Sequence, residues 1–333
     1  MWLNLNAEPA LFAFAIYYTT MILGKRSENK STFIWMEALG CGELLDAATS
    51  SYLAHHDLPL HVIGYREDLL NLKKNELIIP IEINSEQGDI DLTESQVKAA
   101  YQYGPRGTAL LWSKLILHRK EDYLIHLDAD NIFVGEVLSP ILKALNDGYA
   151  VTGTRRPYRY RVARGGKFAG FVHFFRRDCV NTNCFGFNRS IISLREQSIF
   201  DFIEGRARNR YTPRILPIID FFDRMTFYLA RKGGIFYQDS SNQKPHGHHS
   251  RLGRIESSLI SFSAVGSGIA FYKNKSAKTS PTYIDFAIKS YALYSKYVIG
   301  KEIEYDVMDA PDLIELLGRL DKQSWKLLPK GKK

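Results

Sequence analysis

Cysteine is scarce. Only Cys41, Cys179 and Cys184 occur in 333 residues, an odd number without the close pairing of metal-binding thiols, which excludes a disulfide framework and suits a reducing compartment. Long apolar runs are missing too. The stretch Ala10 to Tyr18 is too short to span a bilayer, and it lacks the basic start and small-residue cleavage site of a signal peptide. It reads as a strand instead. No internal repeat is visible.

What remains is an ordinary globular composition, 45% hydrophobic, in a chain long enough for one large domain or two small ones with a sizeable core. Lys and Arg number 44 against 36 Asp and Glu, a net charge of +8, which points to an anionic ligand or surface: nucleotide phosphates, phospholipid or nucleic acid. The default is a cytoplasmic enzyme. Its basic tail, Trp325 to Lys333, offers a peripheral contact with a membrane.

Strand and helix patterns alternate along the first half. Leu11 to Thr19 reads as a strand, Thr32 to Ala54 as a helix, and Leu60 to Tyr65 and Leu77 to Ile83 as strands. Leu92 to Tyr101 and Thr108 to His118 have helical spacing, broken by Gly104-Pro105-Arg106-Gly107. Tyr123 to Leu127 is a strand and Val137 to Leu145 a short helix. This alternation implies βαβ units and a mostly parallel sheet flanked by helices, an α/β fold. Further on, Tyr149 to Thr154 is a strand that leads into a basic, aromatic loop with Arg155, Arg156 and Arg164. Pro217 to Arg231 is an amphipathic helix, and Ile235 to Gln238 a strand. From about residue 280 the pattern is helical.

The chain is organised around Tyr123-Leu-Ile-His-Leu-Asp-Ala-Asp-Asn-Ile-Phe-Val134. A buried strand ends there in two carboxylates, Asp128 and Asp130. In an open α/β sheet, ligands bind beyond the carboxyl ends of the strands. Two acids at that edge can hold a hard divalent cation, Mg2+ or Mn2+, whose open positions go to phosphate oxygens.

With Asp128-Ala129-Asp130 standing as a DxD motif, the sequence resembles glycosyltransferases of the GT-A fold over roughly residues 10 to 250. The run from Trp112-Ser-Lys-Leu-Ile-Leu-His118 to His126-Leu-Asp-Ala-Asp-Asn-Ile-Phe-Val-Gly-Glu136 is similar to the glycogenin-type retaining families. The resemblance implies a GT-A-like catalytic domain over 1–275 and a helical extension over 276–333. Within the domain, 1–145 is the nucleotide-binding half and 146–275 the half that meets the acceptor and completes the metal site. It implies a nucleotide-sugar donor, with UDP favoured, and a glycan-type hydroxyl acceptor.

Several residues acquire expected roles from that resemblance. Lys114 would reach the nucleotide sugar. His246 or His248, in Lys244-Pro245-His246-Gly247-His248-His249, would complete the metal shell, since neutral imidazole ligates Mn2+ beside carboxylates and Zn2+ is a softer alternative. Asp220 or Asp223, three residues apart on one helix, would act on the sugar or acceptor as base or positioning acid. Asn183 and Gly186, in Asn183-Thr-Asn-Cys-Phe-Gly-Phe-Asn188, would line the donor-sugar pocket. Position alone suggests Tyr17, Tyr18 and Thr19 for the base, and Asp68 for base or ribose.

Two other readings compete. Gly153-Thr-Arg-Arg-Pro157 has the look of the signature of a sugar-phosphate nucleotidyltransferase, although that motif belongs directly after the first strand. The positive charge and the Arg/Tyr-rich segment also fit a nucleic-acid-binding protein, in which the acid pair would repel the ligand.

Overall fold

The computed structural model describes residues 30–70, 72–83, 90, 92, 95–97, 106–155, 180–204, 222–238, 258–262, 264–274 and 281–305. The first strand of its sheet, β1, is Thr32–Ala38. A helix was expected there. The residues Phe33 to Met36 are buried on both faces of a central strand, so the run is continuously apolar and shows no strand alternation. The helix that follows, α1, is confined to Leu45–Leu53, after a single tight turn at Gly42–Leu44. The segment 11–19 lies outside the described residues.

The sheet continues with β2 (Leu60–Gly64), β3 (Ile78–Glu82) and β4 (Tyr123–Leu127). A short strand β5 (Asn131–Phe133) precedes β6 (Val151–Arg155) and β7 (Val180–Asn188), and β8 (Ile235–Tyr237) and β9 (Leu259–Ser261) follow. Seven strands form one sheet in the order β3-β2-β1-β4-β7-β6-β8, and β5 pairs with β9 in a separate ribbon. All neighbours in the large sheet are parallel except β7, which runs antiparallel to β4 and β6. This is the mostly parallel α/β sheet that the sequence implied, consistent with a GT-A arrangement.

Helices cover both faces. Successive side chains of a strand point to opposite sides, and β1 separates two cores accordingly. Ile34 and Met36 join α1, the helix α4 (Leu138–Asn146) and two late helices, Val265–Asn274 and Pro281–Tyr294. Phe33 and Trp35 join Arg106–His118, which is α3, together with Glu196–Glu204 and Asp223–Gly233. Counting the four-residue turn Arg66–Leu69 as α2, the last four helices are α5, α6, α7 and α8 in chain order. Among the described residues no helix is long and apolar enough to cross a membrane.

At one margin of the sheet, β3 pairs with β2. The Ile83 N–H donates to the Gly64 carbonyl at 2.9 Å and the Leu60 N–H to the Leu77 carbonyl at 2.8 Å. Odd-numbered residues of β3 therefore face β2, and Pro80 falls on the outer side.

His56 ties α1 to the start of α4. Its Nδ1 meets the Tyr52 carbonyl at 3.0 Å, and its Nε2 accepts the Val137 N–H at 3.1 Å. One partner accepts and the other donates, so the neutral ring carries its proton on Nδ1. Burial lowers its pKa from 6.5, against smaller opposing effects of the Tyr52 carbonyl and Glu136. The neutral form is the one the fold favours. Its contribution is thus complete above pH 6.5 and falls away as pH drops through the lowered native pKa. We expect the stability difference between wild type and His56→Gln, measured by urea titration, to narrow below that pH by at most about 1.4 kcal/mol per pH unit.

Candidate active site

β4 lies between β1 and β7 with all five residues buried, so polar groups can reach solvent only at its ends. At the carboxyl end the backbone turns sharply. The Asp128 N–H donates to the Asn183 carbonyl at 2.8 Å, and the Asn131 N–H donates back to the Asp128 carbonyl at 3.2 Å. Asp128 is half-buried and Asp130 is 8% exposed. The loop after β9 wraps this turn: the Phe262 N–H donates to the Asp130 carbonyl at 3.2 Å and the Val265 N–H to the Phe262 carbonyl at 3.4 Å, which brings the Val265 amide, at the start of α7, close enough to the Asp130 carboxylate to favour its charged form. A carboxylate is favoured at the amino end of a helix. Ala264, just before, has φ 68°, a strained conformation for a residue with a Cβ.

The turn is polar but incompletely satisfied. Asp130 Oδ1 and Asn131 Oδ1 are buried and have no hydrogen-bond partner among the described residues. The Asn131 Nδ2 donates to the Asn183 carbonyl at 2.7 Å, and the Asn183 Nδ2 donates to Ser261 Oγ. Burial raises the Asp128 carboxyl to about 6, with His126 opposing the rise and Glu37 adding to it. Burial and then the charge of Asp128 drive Asp130 well above the usual carboxylate range. Two carboxyls that resist ionising together, one with an orphaned oxygen, match the donor set that a hard cation seeks. Among the described residues no third His, Cys, Asp or Glu completes a metal-binding group with them.

Directly below the turn lies a buried acid–base pair. Glu37 of β1 accepts the Trp112 Nε1–H on Oε1 at 2.8 Å and meets His126 Nε2 on Oε2 at 2.9 Å. His126 Nδ1 meets the Thr182 carbonyl at 2.8 Å. Both partners of the imidazole are acceptors, so both ring nitrogens donate and the ring is an imidazolium. Burial alone would lower its pKa, but the charge and hydrogen bond of Glu37 override it and the pKa is raised. Trp35, Trp112 and Phe185 enclose the ring at centroid distances of 5.1, 4.5 and 5.6 Å. Side-chain exposure is 2% for His126 and 10% for Glu37. Sequence reading missed both. The signal was present: a charged residue inside each of two continuously apolar strands needs a buried partner, and adjacent strands can supply it.

Asp68, a candidate for the base or ribose, turns inward. Its Oδ2 accepts the Gly40 N–H at 2.8 Å and its Oδ1 the Gly42 N–H at 2.9 Å. Both oxygens organise the loop that leaves β1. Gly42 is required there, because a Cβ would stand 2.5 Å from the Asp68 Cα. Burial raises the Asp68 pKa, opposed by the amides of Gly40, Gly42 and Tyr65. Cys41 sits in the same loop. Burial pushes its thiol well up, with Asp68, Asp130 and Asp128 adding to the effect.

Other expected residues are distributed differently. Lys114 pairs with Glu196 at 2.7 Å and joins α3 to α5. Gly186 lies inside β7 opposite Ile125, where a Cβ would stand 2.5 Å from Ile141 Cγ2, so the residue admits α4 against the sheet. Gly153 packs likewise, its Cβ position 2.9 Å from Phe185. It belongs to β6 rather than to a turn after the first strand. Asp223 opens α6 just after Phe222, which is buried with φ 68° against Trp112, Phe185 and Phe187. Tyr17, Tyr18, Thr19, Arg156, Arg164, Asp220, His246, His248 and the basic tail lie outside the described residues. Among the described residues, Asp128, Asp130 and Asn183 are thus the expected ones that come together.

Removing the Asp68 carboxylate orphans two amides at once. Asp68→Ala should cost about 1–3 kcal/mol in a urea titration and accelerate amide hydrogen exchange at Gly40 and Gly42. Asp68→Asn, which keeps one acceptor oxygen, should lose less.

No protein-family model matches the chain, and no curated protein matches it. Solved structures that align with it include the galactosyltransferase LgtC in complex with donor and acceptor sugar analogs. That alignment has 16% identity over 62% of this chain and 73% of that one, with a TM-score of 0.40. An active-site mutant of LgtC aligns at 15% identity over 76% and 82%, TM-score 0.39. The glycosyltransferase GlyE of Streptococcus pneumoniae TIGR4 aligns at 9% identity over 62% and 46%, TM-score 0.37. Likeness of this degree assigns no chemistry to any residue here.

Proposed function

We propose that the protein is a metal-dependent glycosyltransferase that moves a sugar from a nucleotide-diphosphate donor, with UDP favoured, to a hydroxyl acceptor of glycan type. The observation that carries this reading is the buried, unpartnered Oδ1 of Asp130 beside Asp128 at the carboxyl end of the central strand. Such an oxygen is costly to leave bare, and a cation shared with a phosphate relieves that cost. The crevice beyond the strand ends of an open α/β sheet is where such a ligand binds.

Asp128 and Asp130 would hold Mg2+ or Mn2+, with His246 or His248 as the expected further ligand. Bound there, the ion would neutralise charge on the departing diphosphate. The chain's own groups do the rest. The Val265 amide and the amino end of α7 fix the Asp130 carboxylate. Asn183, anchored by Ser261 and Asn131, stands beside Asp128 to orient the donor. Asp220 or Asp223 is the acid proposed for the sugar or acceptor, as base or as positioning group. The acid pair at the strand end speaks against nucleic acid as the ligand of this edge, since a phosphate backbone without a cation would be repelled. Gly153 packed inside β6 removes the motif that favoured a nucleotidyltransferase.

UDP with Mn2+ should raise the thermal midpoint of the protein, by an amount equivalent to about 2.7 kcal/mol at a ligand concentration one hundred times Kd. Asp130→Asn keeps an acceptor for Val265 and deletes the charge, so it should retain the ligand-free midpoint and abolish the rise. Equal responses of the two proteins would refute the metal assignment. NMR of the anomer released by Mn2+-dependent donor hydrolysis would then report retention or inversion.

A further inference from the structure

β7 departs from β6 next to the acid pair. Gly153 pairs with Phe185 and Arg155 pairs with Val180, so Thr154 alone faces the four residues Asn181 to Cys184. This bulge leaves carbonyls without partners on β6. Those of Thr182 and Asn183 turn toward β4. The Thr182 carbonyl is taken by His126 Nδ1 at 2.8 Å, and the Asn183 carbonyl by the Asp128 amide at 2.8 Å and Asn131 Nδ2 at 2.7 Å. Thr182 and Asn183 are half-buried at the crest of the bulge, while Asn181 and Cys184 on either side are buried. Only the His126 bond comes from beneath, through a side chain that Glu37 holds by its second nitrogen and Trp112 supports through Glu37.

We propose that Glu37 and His126 are positioning residues: their buried pair fixes the β7 bulge and so presents Thr182 and Asn183, beside Asp128, to the sugar-bearing part of the donor. This rests on the glycosyltransferase reading for the identity of the ligand. A buried ion pair can be replaced by uncharged groups of similar volume at little cost in stability, whereas a bulge that loses its carbonyl partner loses its fixed geometry. The two functions are therefore separable by substitution.

The test is Glu37→Gln combined with His126→Phe, which fills the aromatic box, keeps an acceptor for Trp112 and removes the bond to Thr182. Its thermal midpoint should stay within a few degrees of wild type. Amide exchange should rise about tenfold or more at Thr182 and Asn183, the scale of one hydrogen bond to a charged group, and remain slow at Phe185 and Phe187. With the donor that wild type accepts, KM should rise about tenfold with kcat changed less than threefold. His126→Gln, whose carboxamide can still donate to Thr182, should recover part of both effects, and it serves alone where the double variant fails to fold. Unchanged exchange at the bulge, or faster exchange with unchanged KM, overturns the proposal. A wild-type protein that binds no nucleotide sugar overturns the glycosyltransferase reading instead, and the exchange measurement still decides whether the pair holds the bulge.

Discussion

Two like charges held one residue apart at the mouth of an apolar core impose the main constraint on this fold. Asp128 and Asp130 cannot both ionise there unless something around them supplies positive potential. The structure supplies some of it: a helix amino end at Val265 and an imidazolium at His126, one strand position below the turn. It leaves part unsupplied at Asp130 Oδ1. The surrounding elements are arranged about that deficit. β7 bends to bring Asn183 alongside, β5 and β9 pair so that the loop into α7 can wrap the acid, and α7 starts where its amide can be used.

The charge of His126 has its own cost, which is met on the opposite side by Glu37. The result is a row of alternating charge running from the core to the edge: Glu37, His126, then the acid pair. Each member makes the next less expensive to bury, and none could be replaced by an uncompensated charge without penalty. Aromatic rings fill the volume around His126, so water does not screen the inner part of the row. Phe222, strained into a left-handed backbone conformation, belongs to this packing through Trp112 and Phe185 and sets where α6 begins.

Much of the sheet was legible in advance because β2, β3 and β4 are short apolar runs between turn residues. Asp128 and Asp130 were legible for a related reason: acids that follow a buried strand directly have few places to go but the ligand edge. β1 was misread because burial on both faces erases the alternation that marks a strand, and its apolar run then merges with the helix that follows. The inward turn of Asp68 was not legible because residue type and position do not say which way a carboxylate points. Here the glycines at 40 and 42 captured it. Glu37 and His126 are 89 residues apart, and nothing local to either strand names the other. Their pairing follows only from β1 and β4 being neighbours in the sheet.

Pro80 bears on how such a sheet survives outside its own fold. An edge strand offers free amides and carbonyls to any other strand. Of the outward residues 78, 80 and 82 of β3, the first donates its N–H to the Asn75 carbonyl at 3.1 Å, and the second, a proline, has none to give. Among the described residues, that leaves the Glu82 N–H as the outward donor of β3. Strand addition from a second copy therefore meets, among the described residues, an edge that still accepts through its carbonyls but is poor in donors, so the sheet that builds the acidic site is a one-sided template along this margin.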